Sequence, residues 1–344
     1  MVVYTGRNMD RKGICVAGNM IVDILYPVRA LPRPGELTTI QDGIERTTGG
    51  ALCNVIENLA AIDSSLPLTA LGRVGLDSEG DFVLDSLSRY QNIDFSMITR
   101  GGKTAFTAVM EDVVSKERTF YTYCGANAIF CEDDIDWDRI NSAFLHIGYI
   151  LLLDALDQED DQFGTKMARL LCHARERGIK TSLDVVSEKG DRFKRLVPPS
   201  LKYADYCIIN EIEAEQITGV PLRNGQGGLI SAHIPEALEA IRGFGVSQWS
   251  VIHCPEGGYG LDHRGVYAES PAIDIPHDSI KRKVGAGDAF CAGVLYAAYQ
   301  KESLKEALEW GNTAAASLLT GGIAAENVEG LRRYRSKFRR LTLT

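Results

Sequence analysis

The sequence predicts an α/β fold with a mostly parallel central sheet and a smaller sheet beside it. Short apolar runs alternate with longer amphipathic segments along the 344 residues, and this alternation is typical of βαβ units. Two segments, residues 34–48 and 103–123, instead alternate polar and apolar residues without an intervening helix. The chain length suits one large α/β domain with an accessory part.

The strands predicted for the central sheet are short apolar runs, each suited to burial on both faces. These runs lie at residues 13–18, 68–75, 143–150, 180–186, 205–210 and 249–254. Between them, the spacing of apolar residues predicts amphipathic helices. The helical segments lie at residues 51–62, 78–90, 160–177, 235–243, 288–300 and 304–319. Ser303 and Glu306 have the spacing of a capping box, which marks the start of the last helix.

The two alternating segments predict half-exposed antiparallel strands. Because they flank the early strands of the chain, we expect them to form a small β-sheet lid beside the central sheet. Residues 1–12 are expected to be an N-terminal tail and residues 13–330 a single domain that carries the lid. Residues 331–344 are expected to be a basic C-terminal segment, with its charges on a solvated helix face.

The charge and hydropathy of the chain disfavour two classes of partner. The formal net charge is −9, whereas proteins that bind nucleic acid normally carry a basic face. No apolar stretch approaches the roughly 18 residues that a membrane span requires. We therefore expect neither a nucleic-acid partner nor a membrane-embedded segment.

The cysteines indicate the compartment. Eight cysteines are scattered along the chain without a CxxC pair, a pattern that favours buried thiols over a disulfide framework or a zinc site. The first twelve residues lack the apolar core of a signal peptide. The sequence therefore predicts a cytoplasmic protein.

The segment Gly285-Ala286-Gly287-Asp288 is a candidate functional site. A helix N-terminus has unpaired N–H groups and partial positive charge, and glycine lets a ligand approach this backbone closely. The segment is therefore a candidate anion cradle, and Asp288 beside it is a candidate general base. The alternative from these residues alone is an ordinary aspartate at a helix start behind a glycine turn.

Two further segments have the features of a site that meets the first one. Gly49 and Gly50 precede a helix that carries Asn54 in its second turn, and Asn210 and Glu213 lie on one side of a helix that follows a strand. A helix cap is the alternative explanation for the last pair. Ligands of open α/β sheets bind beyond the carboxyl ends of the strands, where these segments are expected to meet.

Five motifs, taken together and in order, resemble the PfkB family of ribokinase-like carbohydrate kinases. They are GGALCN (49–54), LGRVGLDSEG (71–80), NEIE (210–213), VIHCPEGG (251–258) and VGAGDAFCAG (284–293). The resemblance extends from residue 13 to about residue 325. It implies a ribokinase-like three-layer αβα sandwich with a small β-sheet lid, and an ATP-dependent phosphotransferase with an alcohol group as acceptor.

The resemblance also implies roles for the residues of the phosphate-donor side. Asp288 corresponds to the base that takes the proton of the acceptor hydroxyl, and the backbone of Gly285, Ala286 and Gly287 to the anion hole. Asn210 and Glu213 match the family motif that places Mg²⁺ and the phosphates, mainly through water. The weaker matches are Gly258, which corresponds to a glycine bordering the nucleotide, and Asn312, which corresponds to a polar residue beside the adenine.

On the acceptor side, Asp23 matches the family carboxylate that holds sugar hydroxyls. Gly49, Gly50 and Asn54 are expected to line the same pocket. Ile21 stands where ribokinases carry asparagine, which disfavours ribose and favours a fructose-like ketose or a sugar acid. The VGAGD form keeps a phosphosugar open, and residues 54–60 are similar to those of pseudouridine kinases, which leaves a nucleoside open.

Some expectations remain open at this point. Arg282, Lys283 and Val284 replace an acid-containing segment that contributes to a monovalent-cation site in many relatives, so dependence on K⁺ is undecided. The resemblance implies a homodimer formed through the lid. A sugar-binding sensor without catalysis is the alternative from another class, and a dinucleotide oxidoreductase is disfavoured because GxGxxG is absent from the first strand turn.

Overall fold

The computed structural model describes residues 11–187, 190–281, 284–321 and 330–333. Within these ranges the chain forms a nine-stranded sheet, a four-stranded sheet and a two-stranded hairpin, with helices packed around the largest sheet. The predicted N-terminal tail lies outside the described residues except for residues 11 and 12, and the basic C-terminal segment lies outside them except for residues 331–333.

The strands are β1 (Ile14–Ala17), β2 (Ile21–Val28), β3 (Glu45–Gly49), β4 (Leu68–Val74), β5 (Ile93–Arg100), β6 (Ala105–Asp112), β7 (Arg118–Tyr123), β8 (Phe144–Ile150), β9 (Glu159–Asp160), β10 (Gly164–Thr165), β11 (Lys180–Val185), β12 (Tyr206–Asn210), β13 (Trp249–Cys254), β14 (Gly257–Asp262) and β15 (Tyr267–Pro271). The helices are α1 (Ala51–Ile62), α2 (Ser78–Ser88), α3 (Lys166–Glu176), α4 (Arg192–Leu196), α5 (Pro198–Leu201), α6 (Glu211–Thr218), α7 (Ile234–Gly243), α8 (Ala286–Tyr299) and α9 (Leu304–Leu319).

The large sheet has the strand order β15-β14-β13-β12-β11-β8-β1-β4-β5. Neighbours from β13 to β5 pair in parallel, and β14 and β15 add an antiparallel edge. All six apolar runs predicted as central strands belong to this sheet. The parallel strands place their carboxyl ends at one edge, and this edge carries the segments of the site.

Both faces of the large sheet are covered by helices. One hydrophobic cluster joins alternate strand residues, such as Ala17 and Ile147, to α3, α4, α6 and α7. The other joins the intervening residues, such as Val16 and Ile208, to α1, α2, α8 and α9. Burial on both faces explains why these strands read as continuous apolar runs. The predicted α/β fold with a mostly parallel central sheet is confirmed.

The small sheet has the order β3-β2-β6-β7, and its predicted strands need correction. Residues 34–48 were expected to be strand, but strand begins only at Glu45, apart from an isolated bridge at Ile40. The preceding residues include Pro34, which has no N–H to donate, and two glycines with positive φ. The strand that pairs with β3 and β6 is instead β2, which the prediction missed.

A second correction concerns the helix predicted at residues 160–177, which begins only at Lys166. The carboxylate of Asp160 accepts hydrogen bonds from the N–H groups of Gln162 and Phe163 and closes a turn between β9 and β10. Thr165 then caps α3 by accepting from the N–H of Ala168. Local side-chain bonds therefore replace the first helical turns.

The predicted capping box at the start of α9 is confirmed, because Ser303 and Glu306 bond each other's backbone N–H groups. No helix within the described ranges combines the length and apolar character needed to span a bilayer.

Gly293 of α8 provides a test of how tightly the helix that carries the candidate base is packed. A Cβ atom there would lie 2.6 Å from the carbonyl oxygen of Trp310 in α9. Gly293→Ala is expected to lower the free energy of unfolding by about 1–3 kcal/mol, because backbone atoms must move apart. The matched control is Gly243→Ala in α7, where the new Cβ has no neighbour within 4 Å. Urea unfolding with equal losses in both variants would contradict this packing.

Candidate active site

Asp288 is buried in the first turn of α8, with 4% of the residue exposed. Gly285 caps the helix in a left-handed conformation (φ 86°) and provides no side-chain hydrogen bond to the first-turn N–H groups. These donors therefore point out of the helix end, as an anion cradle requires. The predicted segment Gly285 to Asp288 thus forms the N-terminus of a well-packed helix.

Two side chains hold the Asp288 carboxylate through the same oxygen. The amide Nδ2 of Asn54 donates to Oδ2 over 2.9 Å, and the hydroxyl of Tyr149 donates to Oδ2 over 3.1 Å. Both donors are uncharged, and both bonds favour the ionised carboxylate. Asn54 is therefore brought to the candidate base, as the sequence predicted, whereas Tyr149 was missed.

The glycine pair before α1 brings the acceptor-side residues together. A Cβ at Gly49 would lie 2.2 Å from an Oδ2 atom of Asp23, and one at Gly50 would lie 2.4 Å from the carbonyl oxygen of Asn19. Gly50 also has a φ of 88°, which residues other than glycine rarely adopt. Asp23 itself lies within β2 and faces Thr47 of β3.

We call the cavity at the start of α8 the inner cleft; its volume is about 270 Å³. Its lining includes the predicted residues Asn210, Glu213, Gly285, Ala286, Gly287 and Asp288, together with Tyr149, Asp184, Val185, Val186, Ser187 and His253. Asn210 and Glu213 form a capping box at the start of α6, so the capping explanation holds for them. The Glu213 carboxylate nevertheless faces the cleft and accepts from the hydroxyl of Ser187 over 2.7 Å.

The inner cleft concentrates carboxyl groups. Burial raises the pKa of Glu213 to about 7, against hydrogen bonds from Asn210 and Ser187 that lower it. Burial and the neighbouring carboxylates Glu213 and Asp288 hold the pKa of Asp184 well above its usual range. Carboxylate oxygens are the ligands that Mg²⁺ prefers, and a divalent cation would stabilise the ionised forms of these groups. Among the described residues no group of three or more His, Cys, Asp or Glu side chains is placed to hold a metal ion by itself, so a magnesium ion here would rely on water and phosphate ligands as well.

A second cavity, which we call the lid cavity, lies between the small sheet and the segment before α8; its volume is about 920 Å³. Asp23 and Asn54, two of the predicted acceptor residues, line it. The other lining residues are Leu25, Glu45, Thr47, Val109, Glu111, Lys116, Arg118, Phe120, Ile280, Lys281 and Val284. Asn54 lines this cavity and bonds Asp288, which lines the inner cleft, so one hydrogen bond links the two cavities at the candidate base.

Gly258 and Asn312 lie apart from both cavities but close to each other. Gly258 pairs with Ser270, and Asn312 donates to the carbonyl oxygen of Ser270 over 2.9 Å. A Cβ at Gly258 would lie 2.6 Å from the ring of Phe290, so helix packing alone requires glycine here. The described contacts give these two residues a structural role, and their nucleotide-side roles stay predictions.

Asp184 and Tyr149 are among the inner-cleft residues that the sequence prediction missed. Asp184 lies near the carboxyl end of a predicted strand, KTSLDVV, so the rule that ligands bind at the carboxyl ends could have identified it. Tyr149 follows the apolar residues of β8 and has a φ of 59°, which is rare for an aromatic residue. No sequence signal marks this conformation. Arg282 and Lys283, on which the K⁺ question depends, lie outside the described residues.

Comparisons with known proteins agree with the fold and the order of the motifs. Residues 11–329 match the pfkB family of carbohydrate kinases. A ribokinase of Arabidopsis thaliana is 25% identical over 315 residues, which cover 89% of this chain and 75% of the relative.

Solved structures with the same fold include Arabidopsis thaliana ribokinase complexed with ribose and ATP (18% identity, TM-score 0.76, covering 94% of this chain and 99% of that one). They also include 2-dehydro-3-deoxygluconokinase from Thermotoga maritima (18% identity, TM-score 0.75, covering 96% of this chain and 100% of that one). A third is the nucleoside kinase of Methanocaldococcus jannaschii (16% identity, TM-score 0.70, covering 95% of this chain and 99% of that one).

The raised pKa of Glu213 predicts how stability depends on pH. The folded protein keeps a proton on Glu213 up to a pKa of about 7, whereas the unfolded chain releases it near 4.5. The contribution to folding stability is therefore present below pH 4.5 and is lost as the pH rises to 7 and beyond. Glu213→Gln should remove this pH dependence, which amounts to a fall in the free energy of unfolding on the order of 3 kcal/mol between pH 4.5 and 8.

Urea unfolding of the ligand-free protein across this pH range measures the effect. The matched control is Glu236→Gln, which changes an exposed glutamate of α7. Parallel profiles for wild type and Glu213→Gln would show that Glu213 titrates normally.

Proposed function

The chain belongs to the pfkB family of carbohydrate kinases and is a phosphotransferase, and we propose that Asp288 is its catalytic base. In this proposal the enzyme transfers the γ-phosphoryl group of ATP to a hydroxyl group of a small carbohydrate. The observation that carries the proposal is that Asp288 lines the inner cleft and accepts a hydrogen bond from Asn54, which lines the lid cavity. A base at this junction can reach a hydroxyl on one side and a phosphate on the other.

The proposed reaction uses the groups that surround Asp288. The carboxylate takes the proton of the acceptor hydroxyl. At the same time the hydroxyl oxygen forms a bond to the γ-phosphorus, and the bond from the γ-phosphorus to the bridging β,γ-oxygen breaks. Asn54 and Tyr149 keep the carboxylate oriented through their bonds to Oδ2. The N–H groups at Gly285, Ala286 and Gly287 would stabilise the charge on the transferred group, as preorganised backbone dipoles do.

Glu213 and Asn210 are the residues proposed to hold Mg²⁺ and the phosphates, with Asp184 beside them. Mg²⁺ would neutralise part of the charge of the triphosphate. The hydrogen bonds from Asn210 and Ser187 fix the carboxylate of Glu213 at the cleft. Since Mg²⁺ keeps several water ligands, one or two carboxylates suffice. Dependence on K⁺ stays undecided.

On the acceptor side, Asp23 and Asn54 are proposed to hold sugar hydroxyls, with Gly49 and Gly50 shaping the pocket around them. The sequence departures favour a fructose-like ketose or a sugar acid, and a phosphosugar or nucleoside are the alternatives. We also propose a cytoplasmic location. All eight cysteines are free thiols, which suits a reducing compartment.

The test of the proposed base is Asp288→Asn. This variant keeps the shape of the side chain but cannot accept the proton at a neutral amide, so acceptor-dependent ADP release should fall by at least 10³-fold. ATP binding, measured by calorimetry, should change little. Wild type must release ADP only when acceptor is present, because a sugar-binding sensor would release none. Retained turnover in Asp288→Asn would contradict the assignment.

We further propose that two copies of the chain pack through the outer face of the small sheet. On this face, opposite the lid cavity, Phe106, Tyr121 and Tyr123 are 36%, 60% and 44% exposed. The rings of Phe106 and Tyr123 lie 5.5 Å apart and form a continuous aromatic surface. Such a surface on a sheet is typical of an interface.

Sedimentation velocity is expected to give the mass of a dimer for wild type. Tyr121→Lys places a charge on the aromatic surface and should shift the protein to the monomer mass. The control is Tyr267→Lys on β15, a partly exposed tyrosine of the large sheet. A wild-type protein that sediments only as a monomer at micromolar concentration would rule out this dimer.

A further inference from the structure

The small sheet presents its side chains to the lid cavity in three rows, because residues paired across strands share a face. The first row runs across all four strands and is polar: Thr47, Asp23, Thr107 and Thr122. The second row is apolar across three strands, at Leu25, Val109 and Phe120, and ends in Glu45 on the edge strand β3. The third row is charged: Glu111 and Arg118. The cavity wall therefore changes from polar to apolar to charged along the strands.

The spacing of the rows sets the length of the ligand that they suit. Successive rows are two residues apart, which is about 7 Å along a strand, so the charged row lies about 13 Å from Asp23. A single sugar ring whose hydroxyls bind Asp23 and reach Asp288 covers the polar row. It leaves Phe120 and Arg118 without a ligand group. The wall therefore suits an acceptor longer than one sugar ring.

The apolar row suits a flat ring system. Phe120 lies opposite Val109, which in turn lies opposite Leu25, so the three side chains form a strip across the sheet. Phe120 is 59% exposed and faces the cavity. An exposed aromatic ring beside aliphatic side chains can stack on a heterocycle, because every nucleobase has a π-face.

The charged row suits a neutral, hydrogen-bonding group rather than an anion. Arg118 donates from Nε to Glu111 over 2.7 Å, and Lys116 lies 3.7 Å from the same carboxylate. Among the described residues that line the lid cavity, three are acidic and three are basic. Because these formal charges balance, the lining offers no net positive charge to an acceptor with a carboxylate or phosphate. A guanidinium has five N–H donors, so Arg118 can still donate to a carbonyl oxygen.

We infer that the acceptor is a nucleoside whose base carries a carbonyl group; this inference rests on the proposed kinase reaction. The hydroxyls of the sugar bind at Asp23 and Asn54, the base stacks on Phe120, and its carbonyl edge accepts from Arg118. One sugar hydroxyl gives its proton to Asp288 as its oxygen bonds to the γ-phosphorus of ATP, and ADP leaves. The three rows then each contact one part of the acceptor.

The first experiment compares acceptors with the full-length protein, ATP and Mg²⁺, with ADP release as the readout. The nucleosides are uridine, pseudouridine, inosine and adenosine; the other arms are ribose, fructose, 2-keto-3-deoxygluconate and fructose 6-phosphate. At least one nucleoside is expected to have a kcat/KM more than 100-fold above that of ribose. A higher kcat/KM for any free sugar, sugar acid or phosphosugar overturns the inference and leaves the kinase proposal intact.

The second experiment tests the apolar row with Phe120→Ala. Its KM for the preferred nucleoside should rise about 10-fold, equivalent to about 1.4 kcal/mol, while kcat/KM for ribose stays within twofold. Phe120→Tyr keeps the ring and should retain the wild-type KM. Val114→Ala, at the exposed turn of the same hairpin, is the matched control. An unchanged nucleoside KM in Phe120→Ala overturns the inference.

The two proposals fail in different ways. If ADP is released with none of the nucleosides and none of the sugars, the proposed kinase reaction is contradicted. If a sugar is the preferred acceptor and Phe120→Ala leaves KM unchanged, only the nucleoside assignment is contradicted.

Discussion

The hydrogen bond between Asn54 and Asp288 is the interaction on which the arrangement of the site depends. It joins α1 to α8, two helices that begin after glycines with positive φ and no side-chain cap. At α1 the N–H of Leu52 donates to the carbonyl oxygen of Asn19, whereas the start of α8 lines the inner cleft, and the bond fixes the distance between the two helices. Because the bond is buried, the loss of either partner would leave a polar group without its partner at considerable cost.

The inner cleft shows how stability is given up for a charged ligand. Three carboxyl groups, Asp184, Glu213 and Asp288, line one small cavity, and their mutual repulsion adds to the effect of burial. Tyr149 adds strain in the backbone, because an aromatic side chain is held at a φ of 59° to reach Asp288. Such costs are typical of functional sites, where geometry takes precedence over local preference. The tight packing of α8 against α9 supports this unfavourable cluster.

The parts of the structure that follow from local pattern could be predicted, whereas those that depend on pairing or backbone strain could not. The strand predicted at residues 143–150 corresponds to β8, which begins one residue later. It could be predicted because burial on both faces makes such strands uniformly apolar. Strand β2 was missed because its partners β3 and β6 lie far along the chain. The glycine-rich helix start at Gly285 could be found from residue type, but the approach of Tyr149 to Asp288 joins residues 139 positions apart.

The alternation of faces along β7 has a consequence for how this lid can change over generations. Phe120 and Tyr121 are neighbours in sequence but lie on opposite sides of the small sheet. Insertion or deletion of one residue in the turn at 113–117 would exchange the two sides of β7 at once. The surface proposed to contact the acceptor and the surface proposed to contact a second subunit therefore belong to the same six residues. If both proposals hold, substitutions can change one surface at a time, whereas a single-residue length change would alter both together.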